Sequence, residues 1–197
     1  DRWRWHNFPV NQMFGVQSYL PNFMADQHLV EGESDARNYV ARLDKFPLKF
    51  EQVVEALKVR ESKGVLPPKF TVEKVLEQMR GFVKPAPTEH MLYTTLAKKL
   101  EKIAPEAMDA ATREALLAET ARAIEQSVYP AYAGVIAYFE GLQSKATSND
   151  GVWRLPDGDA FYAFAVRDNT TTNMAPEEIH AKGLLEALRN DAVRPVP

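Results

Sequence analysis

Glu177 and His180 form a Glu-x-x-His step, which sets a carboxylate and an imidazole on one face of a helix. Di-metal carboxylate bundles use this spacing, but they need two copies of it plus two further glutamates. The sequence holds no second copy, so a helix start with a polar face is the default expectation and metal ligation by Glu177 and His180 the outsider. Four histidines exist, His6, His28, His90 and His180, and none forms the His-x-x-x-His pair of helical zinc sites. Asp26-Gln27-His28 and Glu89-His90 set carboxylates near imidazoles, yet adjacent helical residues point apart. Solvated surface histidines are therefore expected at both places.

Asp150, Asp157 and Asp159 cluster around glycines, but calcium loops need acids at alternate positions, then Gly, then a distant Glu. Turn chemistry explains these aspartates better. Arg2, Trp3, Arg4 and Trp5 alternate base and ring as some single-strand-binding surfaces do. A segment packing its tryptophans is the stronger expectation. Neither a Gly-rich phosphate loop nor a Gly-x-Ser-x-Gly elbow is present. Asn169-Thr170-Thr171 matches the glycosylation sequon, which matters only in a eukaryotic secretory setting. Thr170, Thr171 and Thr172 offer three hydroxyls, either to a ligand or to backbone groups of their own loop, capping being the default. No residue is nominated as catalytic.

The elements that would carry these groups read as helices throughout. Residues 1–33 are aromatic-rich and irregular, broken by Pro9, Gly15, Pro21 and Gly32, with room for one short helix. Ser34 is a candidate cap for a helix bearing Tyr39, Val40, Leu43 and Phe46, which Pro47 interrupts. A second helix, marked by Phe50, Val53, Val54 and Leu57, closes near Gly64. Thr71 is a candidate cap for the stripe Val72, Val75, Leu76, Met79, Phe82 and Val83, ended by Pro85-Ala86-Pro87. Leu92, Leu96, Leu100 and Ile103 give another stripe. The longest helical stretch runs from 109 to 146 and should kink or break at Tyr129, ahead of Pro130. Residues 160–166 are apolar almost throughout, and three alanines with Asp157 or Asp159 as cap favour helix over strand. After the polar loop 169–173, Pro176 opens a last helix, with Glu177 and Glu178 at its positive end. The expected architecture is an all-α, irregular helical bundle in three parts: 1–33, 34–146 and 147–197.

Composition sets outer bounds. The 197 residues carry 24 Lys+Arg against 27 Asp+Glu, a net charge of −3, which gives no whole-protein attraction to nucleic acid or anionic lipid. Hydrophobic residues at 45 % support a real core. Absence of cysteine excludes disulfides, thiolate nucleophiles and Cys-ligated zinc. No apolar run approaches the roughly 20 residues that span a bilayer. The opening Asp1-Arg2-Trp3 lacks an initiator Met and a signal core, so the chain reads as a processed or excised piece.

Gly151-Val152-Trp153-Arg154-Leu155-Pro156-Asp157-Gly158, then Phe161-Tyr162, Thr170–Thr172, Pro176–His180 and Gly183-Leu184, closely resemble the bacterial domain-of-unknown-function 885 family. Its members are often described as lipoproteins. Upstream, Asn11-Gln12, Tyr39–Leu43, Gly64–Pro68 and Tyr129-Pro130 follow in that family's order, so the resemblance covers nearly the whole chain. Ala175 departs from it, standing where the family usually carries Thr or Ser as the cap before proline; this should weaken the helix start by about 1 kcal/mol.

The resemblance implies a longer parent similar to helical zinc metallopeptidases of the gluzincin type. Its zinc motif, a His-Glu pair followed by Pro-Gly-His, lies downstream of the matched segment, and no residue of that site is on this chain. The chain is then expected to be a non-catalytic, zincin-like scaffold portion, inactive alone, with Thr170, Thr171 and Thr172 as the first candidates to wall a peptide cleft. Its partner would be the remainder of the same protein. Zinc would belong to the parent, no nucleic acid is implied, and a lipid anchor on the parent is allowed. The implied setting is periplasmic or exported, with a cytoplasmic one left open. The competing expectation is a self-contained helical binding module without enzymatic activity. A di-metal enzyme resting on Glu177 and His180 is the third.

Overall fold

The computed structural model describes residues 2–193, and all regular structure among them is helical, as expected. The chain divides into two compact units. The larger is Asn7–Asn149; the smaller joins the residues up to His6 with those from Asp150 onward.

In the larger unit, α1 (Val16–Asn22) runs into a π-helical turn at Phe23–Gln27. Then come α2 (Glu33–Leu43), α3 (Phe46–Ser62), α4 (Lys69–Phe82), α5 (Met91–Leu100), α6 (Ala110–Ala123), a second π turn (Ile124–Val128) and α7 (Tyr129–Leu142). The stripes read from the sequence are buried at Val72, Val75, Leu76 and Met79 on α4 and at Leu92, Leu96 and Leu100 on α5, while Phe82 and Val83 at the end of the α4 stripe are half-buried. A chain of rings crosses this core, Phe50 to Tyr132 at 4.8 Å and Tyr132 to Phe82 at 4.5 Å between centroids. The buried Tyr132 hydroxyl donates to the Gln17 carbonyl, and Tyr39 donates to the Leu92 carbonyl at 2.9 Å, so neither hydroxyl is stranded.

Helix ends differ from the sequence expectation where proline or glycine decides them. Gly32, not Ser34, precedes α2, and Ser34 is helical. Pro47 lies in the first turn of α3 and so opens a helix instead of only closing one, because a first-turn residue needs no N–H donor. Pro68 precedes α4, leaving Thr71 buried inside it. Gly64 closes α3 as expected: its φ of 74° lets its N–H reach the Glu61 carbonyl while Val65 reaches Arg60. The interruption expected at Tyr129 is a widened turn rather than a break, with the chain staying helical into Pro130.

In the smaller unit a 3-10 turn (Val152–Arg154) leads to α8 (Gly158–Thr170) and α9 (Pro176–Val193). The helical reading of 160–166 holds, and Asp157 occupies the N-cap. Its backbone is left-handed (φ 53°), however, and its carboxylate accepts from Arg2 at 2.7 Å instead of capping a backbone N–H. A Cβ on Gly158 would lie 2.4 Å from the Val152 carbonyl oxygen and 2.7 Å from Trp153 Cα, so only glycine fits beneath that turn. Among the described side chains of this unit, only Leu155 and Gly158 are buried.

Candidate functional site

The three threonines lie where α8 ends. Thr170 is its last residue, so the polar loop expected at 169–173 starts two residues later than the sequence suggested. Thr171 follows with φ 56°, a conformation that costs a β-branched residue about 1–2 kcal/mol. The Thr170 hydroxyl donates to the Val166 carbonyl at 2.8 Å and lies 3.1 Å from the Thr172 hydroxyl. The Thr172 oxygen in turn accepts from the Met174 N–H at 3.4 Å. These two hydroxyls therefore cap their own loop, as the default reading had it. Thr171 is exposed, and its hydroxyl has no partner among the described residues. The loop is built to hold one strained residue outward with a free hydroxyl, which can donate or accept one hydrogen bond.

Glu177 and His180 lie in the first turns of α9, both exposed. Among the described residues no group of three or more His, Asp or Glu side chains converges to hold a metal. Glu178 reaches back to accept from the Ala175 N–H at 2.7 Å, which is half of a capping box; the missing half is the side-chain acceptor that Ala175 lacks. At the other end of the unit, Trp3 packs on Phe161 and Phe164, ring centroids 5.5 and 6.1 Å away, with Arg2 over its face. His6 joins them, 4.7 Å from the Phe161 ring, its Nε2 2.9 Å from the Pro156 carbonyl oxygen. Trp3 is thus a packing residue, as expected.

Two histidines contradict the sequence reading, because His28 and His90 are buried rather than solvated. His28 ends the first π turn. Arg42 can only donate, so the 2.7 Å contact from its Nη1 makes His28 Nδ1 an acceptor and leaves the proton on Nε2, which faces the Asp35 carbonyl at 3.1 Å. Burial, and after it the charges of Arg42 and Lys99, hold its pKa below the usual range, against the pull of the Asp35 carbonyl. Lys99 of α5 donates to the His28 carbonyl at 2.6 Å and the Met24 carbonyl at 3.1 Å, fastening the end of the π turn to α5. His90 caps α5, Nδ1 accepting from the Leu92 N–H at 3.2 Å. Its Nε2 is buried and short of a formed hydrogen bond, the Phe82 carbonyl being the group that favours its protonation. Burial dominates and holds its pKa low.

The sequence did carry a signal for the first of these. Asp35, Tyr39 and Arg42 recur at steps of four and three, so a buried Tyr39 sets both charged neighbours along the flank of α2 beside it. Sequence proximity pointed to the Asp26 carboxylate, whereas His28 is held by the Asp35 backbone carbonyl and the Arg42 guanidinium.

The family model described as a bacterial protein of unknown function (DUF885) matches residues 2–193. A solved structure, that of the putative lipoprotein from Colwellia psychrerythraea, is similar at a TM-score of 0.88 and 27% identity, over 92% of this chain and 31% of that one. The chain thus spans about a third of that relative's length. Among curated proteins nothing matches.

Proposed function

The chain belongs to the DUF885 family of bacterial proteins, and from that membership we propose that it is the non-catalytic helical scaffold of a longer zinc-dependent, peptidase-like hydrolase. One observation carries the scaffold reading. In the smaller unit, helices of 13 and 18 residues leave Tyr162, Leu184, Leu185 and Leu188 exposed, and the 3-10 turn before them leaves Trp153 so. An amphipathic pair with so little of its own core gains stability only when something covers it. In this reading the covering element is a remainder of the same polypeptide, which is supported by the match to only 31% of the similar solved chain.

Zinc would be the metal of that remainder. The described residues offer no set of three ligands for it, so no chemical step is assigned to them. Their contribution is positional: Thr171, presented outward by the capped Thr170 and Thr172, supplies a hydrogen-bonding hydroxyl to the wall of a peptide cleft. The family resemblance supports an exported setting.

The test compares the 197-residue chain with the longer protein. Zinc-dependent peptide cleavage is expected from the longer protein alone; cleavage by the isolated chain overturns the non-catalytic reading. Hydrogen exchange in α8 and α9 should slow only in the longer protein. Equal protection in both would favour the second reading, a self-contained binding module, which the closed core of the larger unit supports.

A further inference from the structure

The larger unit displays apolar side chains at one place where its packing leaves them nothing to cover. Met13 and Phe14 stand 67% and 83% exposed on a turn that is nonetheless rigidly held. Asn11 Oδ1 accepts from both of their N–H groups, at 2.9 and 2.8 Å, and Gln78 donates to the Gln12 carbonyl at 3.0 Å. A flexible loop would fold such side chains back; this one presents them.

The apolar surface continues from that turn. Tyr19, 64% exposed, stacks on Phe23 at 6.4 Å between centroids, and with Met13 and Phe14 they line a cleft of about 270 Å³. Phe23 also borders a second notch, about 170 Å³, floored by Leu20, Met24 and Phe46. The rim of that notch is cationic: Arg42, whose guanidinium lies 5.7 Å from the Phe23 ring centroid, then Lys45 and Lys49 one helical turn apart. Neither lysine is in an ion pair among the described residues. Two acids lie nearby. Asp44 accepts from the Ser127 hydroxyl at 2.9 Å, and Asp26, which lines the first cleft, acts on Lys99.

We infer that this surface, the Met13-Phe14 turn with Tyr19, Phe23 and the Arg42, Lys45 and Lys49 rim, docks on an anionic lipid bilayer. Protruding rings with cations beside them match a layer whose acyl region takes the apolar tips while its charged headgroups meet the lysines. A bound peptide would instead need backbone partners, and the notch floor is apolar. No helix among the described residues is long and apolar enough to cross a membrane, so the contact is interfacial. The net charge of −3 does not oppose it, because a few lysines within a Debye length of the headgroups act locally. The inference is independent of the proposed hydrolase role.

Co-sedimentation of the chain with phosphatidylglycerol–phosphatidylcholine vesicles, against pure phosphatidylcholine vesicles, tests it. Binding is expected only to the anionic vesicles and should weaken with salt. Met13→Ser with Phe14→Ser should weaken it about tenfold or more. Lys45→Gln with Lys49→Gln should weaken it about 25-fold at low salt. Leu185→Ser with Leu188→Ser, in the smaller unit, should change nothing. All six positions are exposed, and unchanged far-UV circular dichroism verifies folding. Equal binding to both vesicle types, no binding to anionic vesicles, insensitivity to the lysine pair, or loss only in the Leu185/Leu188 variant each overturns the inference. Retention of a polyglutamate peptide without vesicle binding would assign the surface to an acidic polypeptide and overturn it equally.

Discussion

In the larger unit the helices turn Tyr39, Leu43, Phe50, Leu92 and Phe139 inward until almost nothing of them is exposed, whereas among the described residues α8 and α9 of the smaller unit bury only a glycine between them. Yet the motifs first quoted for the family resemblance, from Gly151–Gly158 to Pro176–His180, lie in the smaller unit, not in the well-packed one. Core positions accept any apolar side chain of about the right size, so they leave a loose imprint. The smaller unit is specified by backbone demands instead: Gly158 under the Trp153 turn, left-handed Asp157 and Thr171, and Pro176 opening α9. Such positions admit few residue types.

The sharpest way to break this comparison is to truncate one apolar residue in each unit. Phe139→Ala removes a fully buried ring and should cost about 3–5 kcal/mol in chemical denaturation. Leu185→Ala, at a residue 67% exposed, should change stability by less than about 0.5 kcal/mol. Similar losses at both would show that α9 is covered within this chain after all.

Arg60 comes next. Its guanidinium donates to the Asn7 carbonyl at 2.8 Å, to the Asn7 side-chain oxygen at 2.5 Å and to the Ala56 carbonyl at 2.8 Å. Arg60→Ala leaves these acceptors short of donors and should cost about 2 kcal/mol, read from the same unfolding curves. The effect should be confined to the larger unit.

Acid should separate the units further. His28 and His90 both have pKa values below those of the unfolded chain, so the unfolded state binds more protons as pH falls. Their contribution is complete above the unfolded value of about 6.5 and is lost as pH drops from there toward the folded values. Protonated His28 also loses the lone pair that Arg42 needs. Thermal unfolding of the larger unit should therefore shift downward between neutral pH and pH about 5. His28→Asn with His90→Asn should flatten that slope; an unchanged slope would place the acid sensitivity elsewhere.

The smallest effects belong to the smaller unit. Thr171→Gly relieves a left-handed β-branched residue and should stabilise α8 by about 1 kcal/mol, while lowering peptide turnover by the longer protein if the hydroxyl serves the cleft. Ala175→Ser supplies the missing half of the capping box and should add about 0.5 kcal/mol, visible as slower exchange in the first turn of α9.

The legible parts of the fold were those governed by period. Leu92, Leu96 and Leu100 announce α5 because an amphipathic helix has no other way to bury them. The caps at Ser34 and Thr71 were misplaced because Gly32 and Pro68 fix the backbone two and three residues earlier, overriding a side-chain preference of about 1 kcal/mol. The second π turn left a trace that composition hides. Leu116, Thr120, Ile124, Val128 and Tyr132 are all buried at steps of four, and each step rotates an α-helix by about 40°, so the stripe would drift about 160° without a wider turn to correct it. At the site, the three threonines were found by type and order, but which hydroxyl stays free follows from Thr171's left-handed backbone, and no side-chain pattern encodes that. The burial of His28 and His90 was missed because a histidine's ordinary place at the surface outweighed the spacing of Asp35, Tyr39 and Arg42.

The smaller unit is assembled from residues far apart along the chain: Arg2 meets Asp157 across 155 positions, and His6 meets Pro156 across 150. Closing such a loop costs conformational entropy that local helices never face, and contacts of this span slow folding. If the intervening residues collapse first, that loop is already shortened when Arg2 begins to search. The ribosome makes Trp3 among the first of these residues, yet its partners on α8, Phe161 and Phe164, emerge 158 and 161 residues later. Until then its ring has only its near neighbours Arg2 and His6 to pack on, and the order of synthesis runs against the order of assembly.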